Sequence, residues 1–229
     1  LDYARLYAIL LRGDYADDKR LAACINRLNR LETTVTRPFF LQVLRLKREG
    51  TLSTDDAVHI FLATESYLFR RTICDVPTNA LNKIFLLLHK EIVGYDGSFD
   101  RYADKFAYAL RSKRERARLP GDKEFVEAFG SRDIYRMNGK NRAYIMERLE
   151  NFGTSEDKDV YRHLDDGEYS IEHIMPQHLT PAWRDELGED YATIHETWLH
   201  RAANLTLTAY NPKLSNSTFA EKRDMKEFG

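Results

Sequence analysis

"YSIEHIMPQHL", residues 169–179, separates this chain from an ordinary helical protein. Tyr169 to Ile174 read as a short strand that carries an acid, Glu172, and an imidazole, His173, side by side. Pro176 comes three positions after the histidine, and a proline, lacking an N–H to give to a ladder, ends or edges a strand. An acid–histidine pair on a strand that stops at once is either a satisfied structural pair or part of a site. The surrounding residues have to decide between them.

Downstream, Thr180 and Pro181 open a small helix over "TPAWRDELG", with the threonine as cap and the proline at the first position. A polar stretch and "ETWLHRAA" then lead into "NLTLT", residues 204–208, which reads as a second strand. "NPKLSNSTFAEKRDMKEF" closes the chain with helix signals. Strand, insertion, strand, helix is therefore the order predicted for residues 166–229. It lines up three polar clusters: Glu172 with His173, Asn204, and Asn211 with Asn216.

These residue types suit metal-assisted hydrolysis of a phosphodiester. A neutral imidazole, with an ordinary pKa of about 6.5, can take a proton from water near neutrality. Oxygen donors such as Glu and Asn side chains suit a hard divalent cation like Mg²⁺ or Mn²⁺. Such an ion stabilises charge on the phosphate and the leaving oxygen. Each piece also has a structural alternative: a paired histidine, a turn-capping Asn204 or Asn216, and a helix start at Asn-Pro-Lys.

Upstream, the first 150 residues read almost entirely as helix. In "RLAACINRLNRL", Leu21, Cys24, Ile25, Leu28 and Leu31 recur at three- and four-residue steps. "RPFFLQVLRLKREG" has Pro38 in its first turn and Gly50 at its end. Ser53 and Asp56 stand at capping-box spacing before "AVHIFLATESYLFRR". Thr78 or Asn79 is the expected cap, and Gly94 the expected stop, of the helix over "ALNKIFLLLHKEIV". Further helical periods cover "SFDRYADKFAYALRSK", "KEFVEAFG" and "NRAYIMERLEN". The texture changes at the polar stretch "GTSEDKD", residues 153–159, and a turn is marked at Asp166-Gly167. A helical scaffold domain over 1–165 and a small α+β domain over 166–229 are the expected organisation.

With 229 residues, 43% hydrophobic and 31% charged, the chain can bury a real core. No apolar run approaches the roughly 20 residues that span a bilayer, so no membrane partner is expected. Cys24 and Cys74 lack CxxC spacing, which excludes a zinc ribbon and points to reduced thiols in a cytoplasmic protein. Glycine-rich phosphate loops, a Gly-x-Ser-x-Gly elbow and a His-Glu-x-x-His helix are all missing from the sequence. The formal charge of −1 is uneven: residues 166–229 carry a net −5 and residues 1–165 a net +4. The window "RSKRERAR", residues 111–118, holds five basic residues and one acidic, so the helical part should supply any attraction to a polyanion.

Taken together, "IEHIMPQ", Trp183, "NLTLT" and "YNPKLSNSTFAEK" resemble the C-terminal HNH-type nuclease domain of GmrSD-like modification-dependent restriction enzymes and related phage-defence effectors. The likeness runs over roughly residues 168–224, with the His-x-x-Pro signature at His173 to Pro176. The upstream run "SYLFRRTICDVPTNALNKIF" resembles the helical region preceding that nuclease. The resemblance implies a mainly α chain ending in a ββα-metal (HNH, His-Me finger) domain, and a DNA endonuclease restricting modified or phage DNA. It gives His173 the role of general base and Asn204 that of holding the strand–loop geometry which orients it. It makes Asn211 the third motif residue and a metal ligand, with Asn216 as the other candidate, and puts Glu172 in the metal shell. Lys222 reads as a solvated helix lysine or a phosphate contact. Where the family has a glycine before Asn-Leu-Thr-Leu this chain has Ala203, which would be strained by about 1 kcal/mol or more if φ there were positive. In full-length relatives an N-terminal domain hydrolyses nucleotide; nothing here resembles it, so a longer protein is expected. A helical interaction scaffold with an inactive nuclease-like module, and an RNA-cleaving enzyme, are the alternatives.

Overall fold

Helical periods become helices in the computed structural model, which describes residues 2–31, 34–154, 158–210 and 214–225. The chain divides into two compact units, Leu1–Phe129 and Gly130–Gly229. The division precedes the boundary at 165/166 that the change of sequence texture suggests. Part of the polar stretch at 153–159, namely residues 155–157, lies outside the described residues.

In the first unit α1 (Asp2–Arg12) is followed by α2 (Lys19–Arg30), whose Asp18 cap accepts the N–H groups of Arg20 and Leu21. The predicted stripe Leu21, Cys24, Ile25, Leu28 is buried along α2, and Leu31 just beyond it is buried too. Next, α3 (Arg37–Arg48) carries Pro38 in its first turn, and Gly50 beyond it takes a φ of +76°, the left-handed region glycine tolerates. Ser53 caps α4 (Thr54–Ile73): its hydroxyl accepts the Asp56 N–H and donates to the Asp56 carboxylate at 2.8 Å.

One expected cap is not made. Thr78–Ala80 form a 3₁₀ turn that leads into α5 (Leu81–Gly94), and no side chain caps that helix. Gly94 is still helical, and the chain turns at Gly97, with φ +76°. α6 (Tyr102–Arg111) completes the packing. Phe39 stacks on Phe106 at 5.4 Å and Phe40 on Phe61 at 4.0 Å, all four rings fully buried. Each such ring contributes about 2–3 kcal/mol of burial. Cys24 is buried and Cys74 half-buried, and neither is in a disulfide.

After α7 (Asp122–Ser131), the second unit holds α8 (Gly139–Glu150), capped by Asn138, and the short α9 (Val160–Asp165). β1 (Ser170–His173) pairs antiparallel with β2 (Leu205–Thr208), Glu172 opposite Thr206 and His173 opposite Leu205. Between the strands lie α10 (Pro181–Leu187), capped by Thr180, and α11 (Tyr191–Trp198). α11 buries none of its residues, which is why it shows no apolar period in the sequence. A capping box of Thr218 and Glu221 opens α12 (Phe219–Asp224). Residues 134–135 join this unit because Ile134 is fully buried and the Tyr135 N–H donates to the His200 carbonyl at 3.0 Å. Among the described residues no helix is long and apolar enough to cross a membrane.

Candidate functional site

β1 ends at His173, and the peptide beyond it is clamped. The Ile174 N–H donates to the Asn204 carbonyl at 2.9 Å. The side chain of Asn204, 7% exposed, spends both of its N–H donors and an acceptor on backbone. Its Oδ1 accepts from the Met175 N–H at 2.7 Å, and its Nδ2 donates to the carbonyls of Met175 at 3.0 Å and Leu199 at 2.9 Å. His195 Nε2 lies 3.0 Å from the carbonyl of Pro176 and donates to it. The peptide after β1 is thus held from the approach to β2 and from α11. Ala203 sits in the 3₁₀ turn Ala202–Asn204 and is not among the positive-φ residues, so alanine there is unstrained.

Neighbours on a strand project from opposite faces, and Glu172 and His173 keep different company. The imidazole of His173, 3% exposed, lies edge-on to the Tyr135 ring at 4.3 Å. Its Nε2 is 3.3 Å from Nδ1 of His200, whose ring stacks on Tyr135 at 5.6 Å. Burial pushes the His173 pKa down to about 4, with smaller contributions from His200, Lys222 and His195. Burial, then the charge of Arg136, lowers that of His200 as well.

Glu172, also buried, accepts from Lys222 Nζ at 2.7 Å, and the same ammonium donates to the His173 carbonyl at 2.9 Å. Lys222 is therefore not the solvated helix lysine its position in "AEKRD" suggests; its side chain is 8% exposed. It crosses from α12 to β1 and gives the buried carboxylate of Glu172 its counter-ion.

A hollow of about 240 Å³ opens beside this pair, lined by Glu172, His173, Pro176, Gln177, His178, Ser215 and Asn216. Ser215 takes a φ of +41°, uncommon for a residue with a side chain. The buried Trp183 braces the turn, its indole N–H donating to the Ser217 carbonyl at 2.9 Å. The structure thus brings Glu172, His173 and Asn216 to one place and sets Asn204 behind them. Asn211 lies outside the described residues.

A carboxylate, a carboxamide and an imidazole are donors of the kinds a divalent cation takes. Glu172 already holds an ammonium on one oxygen, so a cation there would have to displace or share with Lys222. Among the described residues no group of three or more His, Cys, Asp or Glu is arranged to hold a metal ion. Tyr135, His195 and His200 were not legible as site residues. Their only sequence signal is His200 four positions before Asn204, and without the strand register that spacing says nothing about His173.

Residues 119–228 match the family model for the C-terminal domain of GmrSD restriction endonucleases. That segment is similar to the family's C-terminal domain. The GmrSD-type segment starts well before the likeness read from motifs at 168–224, and it takes in α7, α8 and α9. The run at 66–85 lies outside it. No curated protein and no solved structure matches the chain.

Proposed function

We propose that this chain is a DNA endonuclease of the ββα-metal (HNH, His-Me finger) type, dependent on a divalent metal. It restricts modified or phage DNA as part of a longer protein that also carries a nucleotide-hydrolysing domain. The observation that carries this reading is that Glu172, His173 and Asn216 line one hollow within a segment of the GmrSD family.

His173 is the general base. Its Nε2 faces Nδ1 of His200, so one of the two nitrogens carries the proton between them. If His173 donates, its proton sits on Nε2 and the lone pair of Nδ1 is left to accept one from water. With a pKa near 4 the ring is neutral at physiological pH, the form a base requires. The water oxygen then attacks phosphorus, the bond to the leaving oxygen breaks, and the proton rests on Nδ1. Asn204 touches no substrate; it is a positioning residue that fixes the peptide from Ile174 to Met175. Glu172 and Asn216, with Asn211, are the residues that would hold the metal. Bound there, a divalent ion would supply charge neutralisation at the phosphate and the leaving oxygen.

Incubation of the full chain with plasmid and with glucosylated phage DNA, in Mg²⁺ or Mn²⁺ and in chelator, tests the reading. Cleavage should need the metal and vanish in His173→Ala. Equal cutting in chelator, or by a folded His173→Ala protein, rules it out.

A further inference from the structure

The five basic residues of the window 111–118 fall into two kinds. Lys113 is engaged by Glu91, Nζ to Oε2 at 2.6 Å, and Arg118 by Glu124, Nη2 to Oε1 at 2.6 Å. Arg111, Arg114 and Arg116 are exposed and, among the described residues, have no carboxylate partner. Glu115 stands in the same turn at a φ of +49°, and it offsets at most one of the three charges.

This loop is fastened from beneath. Arg71, 2% exposed, gives Nη1 to the Arg118 carbonyl at 3.0 Å and Nη2 to those of Arg116 at 2.9 Å and Pro77 at 2.6 Å. Tyr67, fully buried, donates its hydroxyl to the Ala117 carbonyl at 2.6 Å, and Arg70 donates to that of Pro120 at 3.2 Å. Burying a guanidinium without a carboxylate is unfavourable, and the result here is a loop whose backbone cannot wander. The backbone that carries the outward cations is thereby positioned before any ligand arrives. Alongside runs an open groove of about 480 Å³, lined in part by His59, Ser66, Arg111 and Arg70, the last paired with Asp122 at 2.6 Å, so among the described residues Arg111 is its uncompensated cation.

We propose that this loop and groove form a binding surface for the phosphate backbone of duplex DNA, contacted by Arg111, Arg114 and Arg116. The choice of DNA among polyanions rests on the nuclease reading of the GmrSD-type segment. That reading also creates the need, because residues 166–229 are net negative and repel a phosphate backbone on their own. Guanidinium groups on a fixed loop contact phosphates without reading bases, so the surface sets affinity and not sequence preference.

Binding of the full chain to a short labelled duplex, measured in chelator so that nothing is cut, is the test. Across roughly 50 to 200 mM salt, the triple variant R111A/R114A/R116A should lose about 2–3 from the slope of log affinity against log salt. It should bind about tenfold more weakly at the lower end. Lysine at the same three positions should keep the wild-type slope, showing that charge and not loop integrity is measured. A matched control removes Arg20, Arg101 and Lys123, all exposed and each beside a carboxylate, and should change the slope little. An unchanged slope in the alanine triple, or an equal loss in the control, overturns the proposal. Metal-dependent nicking by the wild-type chain is scored separately: its absence refutes the nuclease while leaving the salt slope to judge the surface.

Discussion

The Nε2 atom of His173 and the Nδ1 atom of His200 face each other at 3.3 Å, the two rings tilted by 71° and both packed against Tyr135. A histidine whose second nitrogen is engaged has its tautomer set by that engagement. His200 thereby controls which nitrogen of His173 is left to accept a proton. His200→Ala is expected to lower kcat about 10–100-fold with KM little changed. His200→Gln, whose carboxamide oxygen can accept from Nε2, should recover part of the loss. Single-turnover nicking across this series checks it, and an alanine variant as fast as wild type would remove the tautomer argument.

Removal of the proposed base is more severe. His173→Ala should cut the rate by about 10²–10⁴, the usual contribution of a positioned general base. Because the ring is buried against Tyr135, circular dichroism and a melting curve must accompany the kinetics; a cooperative melt with lost cleavage is the expected pair.

Stability should depend on pH through the same ring. Its pKa is about 4 in the folded chain, against about 6.5 when unfolded. Between those values the unfolded chain binds the extra proton, so stability is full above about pH 7 and declines as pH falls through that window. At pH 5 the loss is about 2 kcal/mol. His200, lowered in the same direction, adds to it. Urea unfolding of metal-free protein on both sides of the window should show this decline, with a clearly shallower one in His173→Gln.

Asn204→Ala leaves the Met175 N–H and two carbonyls without partners in a buried place. Denaturant unfolding should show a loss of about 2–4 kcal/mol, since each buried orphan costs about 1–3 kcal/mol. Asn204→Asp keeps the acceptor but not the donors, and should fall between the two. A neutral alanine variant would mean the clamp is not what holds the loop after β1.

Lys222→Met strands the buried Glu172 carboxylate. Without metal the variant should lose about 3–5 kcal/mol, as when one partner of a buried pair is removed. If Glu172 belongs to the metal shell, Mn²⁺ should raise the melting temperature of this variant more than that of wild type, because the ion replaces the lost ammonium. Equal shifts in thermal denaturation would take Glu172 out of the metal shell.

The helices of the first unit were legible because each buries one stripe, and the stripe is written in the order of residues: Leu21, Cys24, Ile25, Leu28. Caps made by a neighbour's side chain, such as Ser53 and Thr180, were legible for the same reason of short range. The cap expected at Thr78 or Asn79 was not made, because a 3₁₀ turn competes locally with the helix start. In the second unit the order of strand, insertion, strand and helix could be read from composition, and so could the residue types of the site.

What the order of residues determined by itself is therefore periodicity, turn chemistry and the presence of an acid, an imidazole and asparagines that a hydrolytic site could use. Tertiary structure alone decided their partners. Pairing β1 with β2 puts His173 opposite Leu205 and brings the 199–204 segment to the back of the His-x-x-Pro turn. Folding α12 onto β1 makes Lys222, solvated on a reading of its neighbours alone, the counter-ion of Glu172, 50 residues away. Spacing along a chain encodes contacts only within a turn or a few. Strand register and helix docking are set by the whole buried surface, which no short window contains.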